Sequence, residues 1–343
     1  MLFISARHFF VLVILLLLVS CASQDSRPIT PQVIPPAKNV PTAKPKIRIG
    51  LALGGGAAKG FAHIGVIKML EANGMRVEYV AGTSAGSVVG AMYASGMTSF
   101  ELQKTALALN EDQLRDISLF SGGVVKGQKL QNYVNTMVKQ KPIEGMKIPL
   151  AIVATQLETG ERTVFTRGNT GQAVRASSSI PGVFEPVTIG QWHYVDGGIV
   201  SPVPVDATRR LGADLVIAVD ISSKASGKNP DGMMGIVSQS ISIMGQKLGA
   251  QELARADVII RPRVATIGPA EFEQRHQAII EGEKAALAAM PQIKARIAEL
   301  QQEKIVALIK QSKPTTTVVE PVCQELSFTD KLFGKESNCK ASN

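Results

Sequence analysis

The sequence predicts an α/β fold: a mainly parallel central sheet covered by helices on both faces. Three observations carry this. Short apolar segments of strand length alternate along the chain with segments whose apolar residues recur at helical spacing. Two of the strand-like segments run directly into glycine-rich turns that open helices. A 343-residue chain that is 45% apolar and 19% charged also has enough apolar material for a sizeable core, which excludes disorder for most of its length.

Ile47, Ile49, Leu51 and Leu53 recur at every second position, a strand signal, and lead into the run Gly54-Gly55-Gly56-Ala57-Ala58-Lys59-Gly60. A helix is expected over 61–73, with Ile64, Ile67 and Leu70 as its apolar stripe, Met69 flanking it and Lys68 pointing away. Residues 77–81 form a second short strand that ends at Gly82-Thr83-Ser84-Ala85-Gly86, and the small and apolar residues 87–94 predict a buried helix. Further strands are expected over 150–155, 214–220 and 257–261, with a hairpin through Gly160 to Val164 and Phe165. Strands separated by helical stretches favour parallel pairing with both faces covered. After Ala270 the pattern is helical, with a break expected at Met290-Pro291 and resumption through Ile293, Ile297 and Leu300. The segment Met233-Met234-Gly235-Ile236-Val237, with Ile241, Ile243 and Met244, fits either a buried helix, the preferred reading, or an acyl-contacting flap.

The two ends are of another kind. Arg7 precedes an uninterrupted apolar run over 9–19, too short to span a bilayer and of the length of a signal-peptide core, so residues 1–20 are expected to be an export signal. Leu18-Val19-Ser20-Cys21 resembles the bacterial lipobox, which makes Cys21 the expected lipidation site and membrane anchor; Ala22 after it favours the outer membrane. Residues 21–46 then read as the lipidated cysteine and a tether, with six prolines at Pro28, Pro31, Pro35, Pro36, Pro41 and Pro45, extending about 3.1 Å per residue. The catalytic domain is expected over 47–312 and a loosely ordered tail over 313–343. Export would permit a disulfide between Cys323 and Cys339, with free thiols as the alternative.

The formal net charge of +9 suits work near anionic lipid head groups, with a basic surface kept for solubility as the equally weighted alternative. Export and the lack of a basic cluster interleaved with aromatics argue against nucleic acid as a partner. The sequence points to no particular protein partner.

The chemistry resides in three separated motifs. A Gly-x-Ser-x-Gly turn between strand and helix lifts a hydroxyl above the sheet, and its glycines, Gly82 and Gly86, relieve crowding where the elements approach; Ser84 is therefore the candidate nucleophile. No histidine suits the role of its base. His276 lies in a charged helical stretch, His63 reads as a helix-packing residue, and His193, three residues before Asp196, points to the opposite face if 192–196 is a strand. Asp196, followed by Gly197 and Gly198, remains as the base, provided an apolar site raises its pKa. The run from Gly54 to Gly60 fails as a dinucleotide fingerprint, because Ala57 stands where the second glycine belongs. It fails as a P-loop too, because Phe61 and Ala62 follow Gly60. An oxyanion site requires only backbone N–H groups.

Together with the block Arg175-Ala176-Ser177-Ser178-Ser179-Ile180-Pro181-Gly182-Val183-Phe184, these motifs resemble the patatin-like phospholipases, in the bacterial branch similar to neuropathy target esterase. The resemblance covers roughly 47–290. It implies a Ser-Asp dyad of Ser84 and Asp196, an oxyanion hole from the amides of Gly55, Gly56 and Ala57, and hydrolysis of phospholipid or lysophospholipid acyl esters with no metal and no cofactor. Many members have Gly and Arg where this chain has Ala57 and Lys59, which makes the loop less pliant and its cation less able to bind in two-pronged fashion. A general esterase or thioesterase on the same fold, and an envelope lipid-binding protein without turnover, are the rival readings.

Overall fold

The computed structural model describes residues 44–110, 125–222 and 232–311. Residues 1–43 and 312–343, which include Cys21, Cys323, Cys339, the expected export signal and nearly all of the tether and tail, lie outside the described residues.

Among the described residues, eight strands form one mixed sheet: β1 (Ile49–Leu53), β2 (Val77–Thr83), β3 (Leu150–Gln156), β4 (Arg162–Phe165), β5 (Val187–Ile189), β6 (Trp192–Asp196), β7 (Leu215–Val219) and β8 (Val258–Ile260). Their order is β5-β6-β3-β2-β1-β7-β8, with β4 also paired to β3. The strands β3, β2, β1, β7 and β8 are mutually parallel, whereas β4, β5 and β6 join by antiparallel pairing.

The alternation of β1 decides which helices cover which face. Ile49, Leu51 and Leu53 pack into the main core against α1 (Phe61–Ala72), α2 (Ala85–Ala94) and α8 (Arg275–Gln311). Ala52 looks the other way, into a smaller core with Val216 and Ala218; next to it, Ala81 and Ala151 pack against Ala207. Small residues on that second face let the short helix α6 (Val205–Arg210) approach closely: a Cβ on Gly50 would lie 2.5 Å from Thr208 Cγ2. The remaining helices are α3 (Ser99–Ala108), α4 (Gln128–Met137), α5 (Thr170–Ser177) and α7 (Gly232–Leu253).

Helix α1 is buried on nearly every side because it lies between the sheet and α8. Gly65 and Gly282 make that contact possible, since a Cβ on Gly65 would collide with the Ile279 carbonyl oxygen and one on Gly282 with that of Ala62. Backbone cannot give way as a flexible side chain can. Gly65→Ala is therefore expected to cost about 3 kcal/mol, read as a lower midpoint in urea at unchanged slope. Gly74→Ala, at φ 72° with open space around it, should cost only about 1 kcal/mol.

Two expectations fail. The helix after Ala270 does not break at Pro291, and α8 continues through it for 37 residues. Proline removes one amide donor, and the carbonyl thereby released belongs to Leu287, a solvent-exposed residue whose oxygen water can reach. Met290 and Ile293, both buried, hold the two halves of the helix on the same core. The segment around Met233 is a helix as preferred, but its apolar residues are not buried: Met233, Ile236, Ile243 and Met244 all face solvent. Helix α3 went unread although its start is written in the sequence. Thr98 accepts from the Glu101 amide while the Glu101 carboxylate accepts from the Thr98 amide, a reciprocal cap signalled by Thr-x-x-Glu.

Candidate active site

Two strand ends meet at Ser84. Strand β2 pairs with β3 from Val80↔Leu150 to Thr83↔Val153, and β6 pairs with the continuation of β3 from Ala154↔Asp196 to Gln156↔Tyr194. Strand β4 occupies the other edge of β3 over Ile152–Phe165 to Thr155–Arg162 pairs, so β2 and β6 share one edge and meet end to end. Their last residues, Thr83 and Asp196, stand opposite adjacent residues of β3. Two residues 112 positions apart in sequence are thereby set side by side, and Ser84 Oγ donates to Asp196 Oδ2 at 2.6 Å.

The turn at Ser84 is strained. Ser84 has φ 51°, in the left-handed region that non-glycine residues rarely adopt. Its flanking glycines have no freedom to be larger: a Cβ on Gly82 would strike the Gly86 carbonyl, and one on Gly86 the Leu53 carbonyl. The strained peptide is tied on both sides. Its amide donates to Ser177 Oγ at 2.9 Å, Ser177 Oγ donates onward to Val153 O at 2.5 Å, and its carbonyl accepts from Ser87 Oγ at 2.7 Å. Ser177 lies in the block 175–184, and its role follows from these contacts and not from its sequence position. Its signal was three consecutive small hydroxylated residues, Ser177, Ser178 and Ser179, ending a helix.

Asp196 is 7% exposed and fully engaged. Oδ2 accepts from Ser84, Oδ1 accepts from the Gly198 amide at 2.7 Å, its own amide donates to Ser179 O at 2.8 Å, and its carbonyl accepts from Thr155 Oγ1 at 2.8 Å. Burial raises its pKa to about 6, against the opposing pull of the Ser84 and Gly198 hydrogen bonds. Gly197 is required because a Cβ there would run into the Val153 carbonyl.

The glycine loop wraps the serine from the other side. Gly54 donates to Val219 O at 3.1 Å, and its carbonyl accepts from His63 Nε2 at 2.8 Å. His63 is wholly buried and its pKa is lowered to about 4 by burial, so the ring is neutral and Nε2 carries the proton. It packs in α1, as expected, and also fixes the loop. The amide of Gly55, expected in the oxyanion hole, donates instead to Pro202 O at 3.0 Å. The segment after Asp196 uses that donor to dock on the loop. The amides of Gly56 and Ala57 make no hydrogen bond among the described residues, and both residues border the cavity that Ser84 and Asp196 share. Lys59 is buried, with its pKa lowered by burial. Gly60 is needed for contact with α2, since a Cβ would lie 2.7 Å from that of Ala85. His193 is exposed and pairs with Glu158 at 2.6 Å, on the far side of β6 from Asp196, and His276 is exposed on α8.

Ala57 has φ 50°, so this alanine occupies a conformation suited to glycine. Ala57→Gly is expected to stabilise the protein by up to about 1 kcal/mol, with relief of the left-handed strain partly offset by glycine's greater freedom when unfolded. Thermal unfolding checks this. A loss of stability would mean that the alanine methyl packs better than its backbone strains.

Ser84 opens onto two cavities. One, of about 520 Å³, is apolar and runs between α1, α2 and α4 along Phe61, Val88, Met92, Leu130, Tyr133 and Phe184. The other, of about 490 Å³, lies towards α7 and includes Asp196, Gly198, Val237 and Ile241. Ala57, Ser84, Ile180, Val183 and Pro269 border both.

Residues 51–209 match the family model described as patatin-like phospholipase, and this span contains Ser84, Asp196 and the glycine loop. Over that span the chain is similar to a patatin-like phospholipase domain. Curated relatives agree: uncharacterized NTE family proteins of Mycobacterium tuberculosis and Mycobacterium bovis are 35% identical over 206 residues, 59% of this chain and 57% of theirs. This chain therefore aligns with little more than half the length of those relatives. The patatin-like phospholipase domain-containing protein 6 of Mus musculus is 32% identical over 185 residues, 51% of this chain and 14% of that protein. Among solved structures, VipD from Legionella pneumophila shares the fold of the patatin-like domain at a TM-score of 0.52 and 16% identity, over 74% of this chain and 68% of that one.

Proposed function

We propose that this protein is a serine acyl hydrolase that cleaves phospholipid or lysophospholipid esters through an acyl-enzyme intermediate. The observation that carries the reading is the 2.6 Å hydrogen bond from the Ser84 hydroxyl to a buried carboxylate whose pKa is raised towards neutrality. Asp196 Oδ2 takes the Ser84 proton as Oγ forms a bond to the ester carbonyl carbon, and the carbonyl electron pair moves onto oxygen facing the Gly56 and Ala57 amides. Collapse of that intermediate breaks the bond to the alcohol, which leaves with the proton from Asp196. Asp196 then deprotonates a water that attacks the acyl-serine, releasing fatty acid and returning the proton to Ser84.

The apolar cavity of about 520 Å³ supports a long acyl chain over a small soluble one, because its lining offers a chain burial and little hydrogen bonding. Turnover of a long-chain lysophospholipid is compared with that of an acetyl ester. Higher kcat/KM for the long chain is expected, and the reverse would favour a general esterase. A fluorophosphonate probe should label the wild type at Ser84 and leave Ser84→Ala unlabelled; unlabelled folded wild type would favour a lipid binder without turnover. The lipobox-like run ending at Cys21 supports placement as an outer-membrane lipoprotein facing the periplasm, which intact-mass analysis of protein purified from membranes would test.

A further inference from the structure

Helix α7 is built inside out for a surface helix. Its body-facing side carries small residues: Gly245 packs over the Gly198 carbonyl and Gly249 against Pro202, where added Cβ atoms would lie 3.8 and 3.4 Å away. Near its end the buried Glu252 accepts from Ser201 Oγ at 2.5 Å and from the Val203 amide at 3.0 Å, which fastens the helix to the segment following Asp196. The opposite side holds the large apolar residues, with Met233 81%, Ile236 55%, Met244 53% and Ile243 43% exposed. Surface helices ordinarily show the reverse arrangement, and a contiguous apolar face of this kind marks an interaction surface. Residues 232–246 contain no charged residue and no histidine; the first charge is Lys247.

Continuity with the cavity identifies the occupant. Val237 and Ile241 of the same helix line the cavity of about 490 Å³ that opens on Ser84, and Val183, 43% exposed, borders that cavity as well. A protein partner seated across these residues would cover the mouth. A lipid surface pressed against them would leave an acyl ester facing the mouth with no water-filled gap to cross. No described helix is long and apolar enough to cross a membrane, so α7 would lie in the interface plane. We propose that the exposed face of α7 docks on the surface of a lipid bilayer and holds the mouth of the Ser84 cavity against it. The purpose of this docking rests on the acyl-hydrolase reading, but the docking itself requires no turnover.

The test uses the full chain with Ser84→Ala, its three cysteines replaced by serine, and one new cysteine carrying an environment-sensitive dye, through either Ile236→Cys or Lys310→Cys. Vesicles of phosphatidylcholine with phosphatidylglycerol should blue-shift the dye at 236 and leave the dye at 310 unmoved. In the active chain, Ile236→Ser with Met244→Ser should lower turnover of vesicle substrate about a hundredfold, roughly tenfold for each apolar side chain withheld from lipid. Turnover of a soluble short-chain ester should stay within twofold. Several outcomes would overturn the proposal: no shift with vesicles, a shift that follows protein concentration and dimer mass without lipid, or a dye already blue-shifted in the lipid-free monomer. Absence of turnover in the active chain, with the vesicle shift intact, would count against the catalytic reading alone.

Discussion

Asp196→Asn is expected to lower acyl hydrolysis by about 10³-fold and, at the same time, to make the folded protein more stable at neutral pH. The first effect follows from removing the carboxylate that accepts from the Ser84 hydroxyl, since asparagine keeps the shape but accepts no proton. The second follows from burial. A carboxyl whose pKa rises from 3.8 unfolded to about 6 folded holds its proton more tightly in the native state, so its contribution to stability is fully present below pH 3.8 and is lost as pH rises through 6. Above pH 6 the folded protein carries a buried charge at a cost on the order of 3 kcal/mol, which asparagine does not incur.

His63 acts with the opposite sign. Its folded pKa of about 4 lies below the unfolded 6.5, so its contribution is present above 6.5 and is lost as pH falls through 4. Between about pH 4 and 6 the native state holds one proton on Asp196 and the unfolded chain holds one on His63, and the two slopes cancel. Asparagine at 196 removes one of them. Urea unfolding across pH should then show Asp196→Asn losing about 1.4 kcal/mol per unit on acidification through this window, beyond any slope in the wild type. The wild-type kcat/KM should fall below pH 6 as Asp196 takes up its proton. Retained hydrolysis in Asp196→Asn would end its role as the base.

The second large effect concerns chain length. Val88 lines the apolar cavity from α2, one turn after Ser84, and Val88→Trp would fill space there while leaving Ser84, Asp196 and the Gly56 and Ala57 amides untouched. Turnover of a long-chain lysophospholipid is expected to drop about a hundredfold, and that of an acetyl ester to change less than about threefold. Unchanged fluorophosphonate labelling would certify that the variant is folded. Equal losses on both substrates would mean that the acyl chain does not enter this cavity.

Much of the site was written locally. A glycine-flanked serine between a strand and a helix announces a sharp turn, and part of its reason is local, since a Cβ on Gly82 would strike the Gly86 carbonyl; Gly86 and Gly197 answer instead to the distant Leu53 and Val153 carbonyls. The strands were legible for a similar reason: Ile49, Leu51 and Leu53 alternate with the small Gly50 and Ala52 because one face of β1 fills the main core and the other is closely approached by α6. The thirty-seven-residue α8 was not, since the local rule for Pro291 stops a helix and only burial of Met290 and Ile293 on a distant core overrides it.

What the sequence determined by itself was the kit: the serine, the aspartate, the glycine loop and the alternating elements that set them at the ends of strands. The tertiary structure decided how the kit is assembled. It placed β2 and β6 on one edge of β3 so that Ser84 and Asp196 meet, assigned the Gly55 amide to Pro202 and left those of Gly56 and Ala57 available, and turned the apolar side of α7 outward. Each of these depends on contacts between residues far apart in the chain, where the free energy comes from burial and shared hydrogen bonds that no window of neighbouring residues contains.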